Sequence, residues 1–264
     1  MPRTIGLDYT AAVHQEAGIG RYVREMTQAL IRLRPDADLR LFAAGAGGRE
    51  SASSPPAPLY PSRLSERTHN RLWHRLRLPL PVEWWTGRLD LFHAADFALP
   101  PTLPRTRTVL TIFDLAYEFY PDETMPGMAR YLSAVVPRSA RRADHVITIS
   151  EASRIDLINC YGLSPDKVSI AYPGVESRFN PQPDPDRQAA LRARLELPDN
   201  PIVLTVGTLQ PRKNHMTLVE AFVRVADATH VVLVVAGGEG WAYDAVKKRA
   251  ADLGLGGRVR FVGF

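Results

Sequence analysis

The chain has 264 residues, 45% of them hydrophobic, 8% aromatic and 23% charged. That apolar content is enough to bury a core and excludes a disordered or collagen-like chain, and no run approaches the ~18 apolar residues of a membrane span. The formal charge is +5, and 29 of the 33 basic residues are arginine, a side chain suited to bidentate contact with phosphate or carboxylate. Charge alone does not choose among nucleic acid, lipid headgroups and nucleotides.

In chain order, residues 4–9 read as a short buried strand, leaving no room for a leader peptide before them. With Cys160 as the single cysteine, no disulfide can form within the chain, and a cytoplasmic protein is expected. Residues 19–33 carry Tyr22, Val23, Met26, Ala29, Leu30 and Leu33 at helical spacing. A second strand over 39–43 leads into a Gly/Ser/Pro-rich loop over 44–61. Further strands are predicted at 89–94, 108–113 and 145–149, with helices over 124–142 and 151–161. The alternation predicts a parallel sheet with helices on both faces, an α/β class.

The run Asn180-Pro-Gln-Pro-Asp-Pro-Asp186 is too rich in proline for either regular structure. It divides the chain into an expected domain over 1–180 and a second over 181–264. Strands at 202–206, 231–236 and 259–262 then alternate with helices over 214–225 and 243–253. Asn214 stands at an N-cap position, followed by a Leu218, Phe222, Val225 stripe. Three strands are about half of a doubly wound sheet, so the second domain is expected to be cut short.

Several motifs stand at the predicted ligand edge. Gly18 and Gly20 lie between the first strand and the first helix, where glycines admit an anion to backbone N–H groups or simply make a tight turn. Val23 replaces the third glycine of a dinucleotide fingerprint, which disfavours a dehydrogenase. The run Gly207-Thr-Leu-Gln-Pro-Arg212-Lys213-Asn214 sets two cations beside a helix N-terminus, a pattern suited to a diphosphate or to a solvated basic turn.

Arg63, Arg67, Arg71 and Arg75 recur every four residues beside Leu64, Leu72 and Leu76. Such a stripe reads either as a peripheral contact with an anionic membrane or as a solvated helix face with its leucines in the core. Asp114 after Phe113 can contact a sugar hydroxyl or cap a helix. His93 reads as packed and hydrogen-bonded rather than catalytic. Trp84 and Trp85 read as packing residues, and Gly237-Gly-Glu-Gly240 as a ligand-edge loop or a plain turn. No metal-ligand spacing, nucleophile elbow or Walker loop is present, so no metal site is expected.

Taken together, the runs Ala17-Gly-Ile-Gly-Arg-Tyr22, Phe92-His-Ala-Ala-Asp-Phe97, Leu110-Thr-Ile-Phe-Asp-Leu115, Ala143-Asp-His-Val-Ile-Thr-Ile-Ser-Glu-Ala-Ser-Arg154, Tyr172-Pro-Gly-Val175, Val206-Gly-Thr-Leu-Gln-Pro-Arg-Lys-Asn214 and Arg260-Phe-Val-Gly-Phe264 span nearly the whole chain. In this order they resemble the family 4 retaining glycosyltransferases of GT-B fold, particularly the bacterial mannosyltransferase-like group. The resemblance implies a Rossmann-like acceptor-side domain and a partial second one for a nucleotide-sugar. It implies hexose transfer to a glycan or glycolipid-type acceptor, with the nucleotide-sugar as co-substrate, no other cofactor and no metal.

Carried over by position, Gly207, Arg212 and Lys213 would hold the donor diphosphate, Gly18 and Gly20 would line the cleft, and Asp114 would act at the sugar. Two departures stand out. Phe113 occupies a position where the family usually has histidine, and the family's pair of glutamates falls beyond residue 264. These residues alone are therefore expected to transfer sugar poorly and to have limited solubility. The alternatives are a non-catalytic or regulatory module, a split half needing a partner chain, or a basic binder of nucleic acid or of a membrane surface. For the transferase itself, expected at the inner face of the membrane if peripheral, nucleic acid is not an expected partner.

Overall fold

The computed structural model describes residues 3–16, 18–46, 54–125 and 127–263. Outside them lie the middle of the loop expected over 44–61, residue 17 of the first motif, residue 126 of the helix expected over 124–142, and residue 264 of the last motif. The chain forms two compact units. One runs to Pro121 and resumes over Met125–Gly174; the other takes Asp122–Thr124 and the residues from Val175 onward.

The first unit is a seven-stranded parallel sheet with helices on both faces. In chain order its elements are β1 (Thr4–Asp8), α1 (Thr10–His14), α2 (Ile19–Leu33), β2 (Asp38–Ala44), β3 (Leu59–Ser62), α3 (Glu66–Asn70), α4 (Glu83–Thr86), β4 (Leu91–Ala94), β5 (Arg107–Thr111), α5 (Ala116–Phe119), α6 (Met128–Arg142), β6 (His145–Thr148), α7 (Glu151–Tyr161) and β7 (Val168–Ile170). The strand order is β3-β2-β1-β4-β5-β6-β7. From β1 the chain steps outward to β2 and then back across to β4, so the order reverses between β1 and β4. In open α/β sheets a crevice opens at such a reversal, outside the C-terminal strand ends.

Period-two alternation divides the core. Leu39 and Leu41 of β2 pack with Leu7 and with Val23 of α2. Phe42 and Ala44 point into the opposite cluster with Trp73, Phe92, Leu110 and Val136.

The second unit contains α8 (Pro185–Arg194), β8 (Ile202–Val206), α9 (His215–Ala228), β9 (Val232–Ala236), α10 (Tyr243–Asp252) and β10 (Val259–Gly263). Its parallel sheet has the order β10-β9-β8. Val219 and Phe222 of α9 and Val246 and Ala250 of α10 pack with Leu233 and Val235 of β9. On the alternate face of β8, Leu204 is 60% and Val206 75% exposed.

The structure corrects several expectations. A strand, β3, lies within the stretch read as loop, because pairing with β2 outweighs the proline at residue 61 on an edge strand. The proline run does not exclude helix: Asp184 accepts a hydrogen bond from the Arg187 N–H, and Pro185 sits in the first turn of α8, where a missing N–H costs nothing. The helix expected from residue 124 begins at Met128, after Gly127 in the left-handed region at φ 80°.

Candidate functional site

In the second unit, the loop after β8 brings the predicted cations to the C-terminal edge of the sheet. Gly207 has φ 154°, and a Cβ there would meet nothing within 4 Å. Residues Pro211–Lys213 make one 3-10 turn, and Asn214 enters α9 in the left-handed conformation (φ 51°, ψ 39°). Asn214 therefore does not cap with its side chain as expected. No side chain caps α9, and the first α9 bond closing on the entry runs from the Leu218 N–H to the Asn214 carbonyl at 3.3 Å. The first-turn N–H groups of a 14-residue helix then present the positive end of its dipole.

Arg212 and Lys213 are exposed, and among the described residues neither side chain makes a hydrogen bond or ion pair. His215 beside them is buried, with Nδ1 unpaired. Burial, and then the charge of Lys213, hold its imidazole below the usual histidine range. The three features make a cationic, hydrogen-bond-donating edge suited to an anion.

The tract Gly237-Gly-Glu-Gly240 supports this loop from below. A Cβ on Gly237 would stand 2.1 Å from the Gly207 carbonyl oxygen, and one on Gly240 2.3 Å from that of Leu209. The Leu209 N–H donates to the Gly238 carbonyl at 3.2 Å, and the Ala242 N–H to the Leu209 carbonyl at 3.1 Å. The two loops thus meet backbone to backbone, an approach that only glycine permits.

In the first unit, Gly18 and Gly20 follow α1, a short helix not expected between β1 and α2. Their roles separate. Gly18 is exposed at φ 58° with open space where a side chain would be, whereas a Cβ on Gly20 would stand 2.0 Å from the Gln15 carbonyl oxygen. Arg24 ties the same turn down by donating to the carbonyls of Ala12 (2.7 Å), Gln15 (2.8 Å) and Glu16 (2.6 Å).

Asp114 is half-buried and accepts a hydrogen bond from the Ala116 N–H at 3.0 Å, at the start of α5. Phe113 is buried, edge-on to Tyr22 (5.1 Å between ring centroids) and tilted on Phe97 (5.8 Å). An aromatic cluster therefore occupies the place of the family's histidine. His93 is buried with Nε2 2.8 Å from Thr111 Oγ1, and burial pushes its imidazole down to about 4, as suits a packed histidine.

Two residues that sequence reading did not single out lie at the strand-order reversal. Asp8 ends β1, with Oδ1 accepting from the Thr10 N–H at 2.9 Å. Asp96 follows β4. Burial, then the charges of Asp8 and Glu66, raise the Asp96 carboxyl to about 7, while a hydrogen bond with Gln15 works the other way. Asp8 itself is raised, first by burial. Asp96 stands inside the run Phe92-His-Ala-Ala-Asp-Phe97, but only the strand order brings it beside Asp8.

The arginine stripe is not one α-helical face. Ser65 caps α3, accepting from the Thr68 N–H at 3.1 Å, so Arg63 lies before the helix. Residues Arg71–Arg75 form a π-helical turn, which widens the spiral. All four arginines are exposed, and so are Leu64 and Leu76. The inward residues are His69 and Trp73, in an aromatic cluster with Phe42 and Trp85. Trp84, expected to pack, is 68% exposed. Among the described residues no cluster of His, Cys, Asp or Glu could hold a metal ion, and no helix is long and apolar enough to cross a membrane.

Residues 17–179 match the model of Glycosyltransferase Family 4, and residues 186–264 that of Glycosyl transferases group 1. The chain is 26% identical over 263 residues to O-antigen chain mannosyltransferase B of Escherichia coli, covering 94% of this chain and 67% of that protein. It is 36% identical over 130 residues to D-inositol 3-phosphate glycosyltransferase of Streptomyces bingchenggensis, covering 45% of this chain and 28% of that protein. Among solved structures, Anabaena Alr3699/HepE in complex with UDP and glucose superposes with a TM-score of 0.66 at 20% identity, covering 100% of this chain and 70% of that one. WaaG, a glycosyltransferase involved in lipopolysaccharide biosynthesis, superposes with a TM-score of 0.68 at 14% identity, covering 98% and 70%. These likenesses show a GT-B-like α/β fold.

Proposed function

Because the chain belongs to glycosyltransferase family 4, we propose that it serves the retaining transfer of a hexose from a nucleotide-sugar to a glycan or glycolipid-type acceptor. One observation carries the reading: the exposed, unpaired Arg212 and Lys213 beside the uncapped N-terminus of α9. When the glycosidic bond of the donor breaks, negative charge grows on the departing nucleoside diphosphate. Cations and N–H groups already aimed at that charge stabilise the transition state without reorganising. Lys213 and Arg212 take that role, and Gly207, lacking a side chain, leaves the approach open.

Residues 1–180 then form the acceptor-side domain and 181–264 part of the nucleotide-sugar domain. Gly18 and Gly20 line the acceptor side, and Asp114 contacts a hydroxyl of the transferred sugar, holding it for attack on the same face. Asp8 and Asp96 at the strand-order reversal offer acceptor hydroxyls a carboxyl that both donates and accepts a hydrogen bond near neutral pH. The nucleotide-sugar is a co-substrate. The E. coli relative acts on O-antigen chains by its name, which favours a glycan acceptor here.

Titration calorimetry with UDP and GDP tests this reading. Binding with a preference for one nucleotide, weakened in Lys213→Ala, is expected; equal binding by the variant overturns it. The exposed Arg63, Arg67, Arg71 and Arg75, with Leu64 and Leu76 beside them, favour a peripheral contact of this cytoplasmic protein with the inner face of an anionic membrane. Arg67→Glu/Arg71→Glu should then release the protein from phosphatidylglycerol vesicles. Undiminished binding removes that contact.

A further inference from the structure

A cavity of about 320 Å³ opens in the first unit between the π-helical turn and the C-terminal half of α6. Its walls include Trp73, Leu78, Leu99 and Val135, and its polar side chains include His74, Arg77, Arg138 and Arg142. No carboxylate lines it. Arg142 donates to the carbonyls of Leu99 and of Pro100 (2.7 Å), and Arg138 Nε to that of Ala134 at 2.7 Å. None of these arginines meets an acidic side chain among the described residues.

Two features of the backbone build this wall rather than leave it to chance. A π-helical turn, a form that recurs at functional sites, carries Trp73 and His74. Arg77 follows in the left-handed region at φ 56°, a conformation that costs a non-glycine residue energy and persists only where its surroundings hold it. Arg142 is the last residue of α6, just ahead of β6, so the cavity lies toward the N-terminal strand ends. That is the opposite edge from Asp8, Asp96 and Asp114.

We propose that this cavity binds a phosphate group, with Arg77, Arg138 and Arg142 around the anion and the apolar wall against the body that carries it. Three guanidinium groups without acidic partners line one depression, and each carries a planar fork of N–H donors that suits phosphate. His74 reports on them. Burial, and then the charges of Arg142 and Arg138, push its imidazole down to about 4. A bound anion offsets those charges and moves the imidazole back up. The exposed Leu76 and Leu78 beside the opening suit a phosphate borne on a lipid. The proposal is independent of the transferase reading, since no donor takes part.

The test follows the His74 ring resonances by NMR, adding inorganic phosphate or soluble dihexanoyl phosphatidic acid. Saturable shifts of His74, with its titration midpoint raised, are expected. Saturation by both ligands assigns the site to the phosphate alone; saturation by the lipid only assigns it to a headgroup. In Arg77→Gln/Arg138→Gln the affinity should fall at least tenfold with an unchanged circular dichroism spectrum, and Arg138→Lys should recover part of it. The stripe variant Arg67→Glu/Arg71→Glu should retain His74 binding, which separates this site from a diffuse membrane contact. No His74 shift with either ligand, or equal shifts in the glutamine variant, overturns the proposal.

Discussion

The carbonyl oxygen of Gly207 stands 2.1 Å from where a Cβ on Gly237 would be, so the cationic loop after β8 rests on the bare backbone of the loop after β9. Gly237 also has φ 154°, a conformation that side chains rarely adopt. The arrangement fixes the height at which Arg212 and Lys213 stand above the sheet edge.

Replacing that glycine should be costly. Gly237→Ala is expected to destabilise the second unit by about 1–3 kcal/mol through backbone strain alone, with the clash adding to it. Gly238→Ala, where a Cβ meets nothing within 4 Å, should stay within about 0.5 kcal/mol. Urea unfolding compares them, and equal midpoints would falsify the claim that the two loops require this close approach.

Arg212→Ala/Lys213→Ala should weaken nucleoside diphosphate binding by roughly tenfold or more, since each removes a charge-assisted contact. Both side chains are exposed and unpaired, so the unfolding midpoint should barely move. A large loss of stability with unchanged affinity would assign the pair a structural role instead.

Asp96 makes stability fall with rising pH. Its folded-state carboxyl is raised to about 7, above the ~3.9 of an unfolded chain. Between those values the folded state holds a proton that the unfolded state has lost, so stability decreases as pH rises from about 4 to 7 and levels off above. The slope from this one group is at most about 1.4 kcal/mol per pH unit. Asp96→Asn should flatten that part of the profile and raise stability at pH 8 relative to the parent. Profiles that coincide from pH 5 to 8 would show that Asp96 is not held protonated.

Leu204 and Val206 leave an apolar stripe on β8 open to water. Such a face promotes association. Sedimentation velocity should show concentration-dependent oligomers that Leu204→Ser/Val206→Ser shifts toward monomer. A parent that stays monomeric at high concentration would count against it.

Much of this protein is determined locally. Ile19–Leu33, Glu151–Tyr161 and Ile202–Val206 fold as the chain predicts: the first helix because its apolar residues recur at helical spacing, and the strand because it is an unbroken apolar run bounded by loop residues. The cationic run after β8 is equally local: six residues past the end of the strand, Arg212 precedes Lys213 and the helix start. The order of the first sheet is another matter. That β1 lies between β2 and β4, and so brings Asp8 toward Asp96, depends on β1 pairing with a segment more than 80 residues away.

Other features depend on packing that no local pattern encodes. Four-residue spacing predicts Arg63, Arg67, Arg71 and Arg75 on one helix, but a π-helical turn carries the last two, Arg63 precedes the helix, and His69 and Trp73 face the core. Filling an aromatic cluster with Phe42 and Trp85 outweighs a regular spiral there. Likewise Gly20 and Gly237 read as turn glycines in the chain and prove to be points of contact between backbones, since a missing side chain acquires its meaning only from the atoms opposite it. The sequence by itself determined the elements and the chemistry at their ends; the tertiary structure decided which of those ends share a site, because side chains far apart in the chain influence one another only once folding has brought them together.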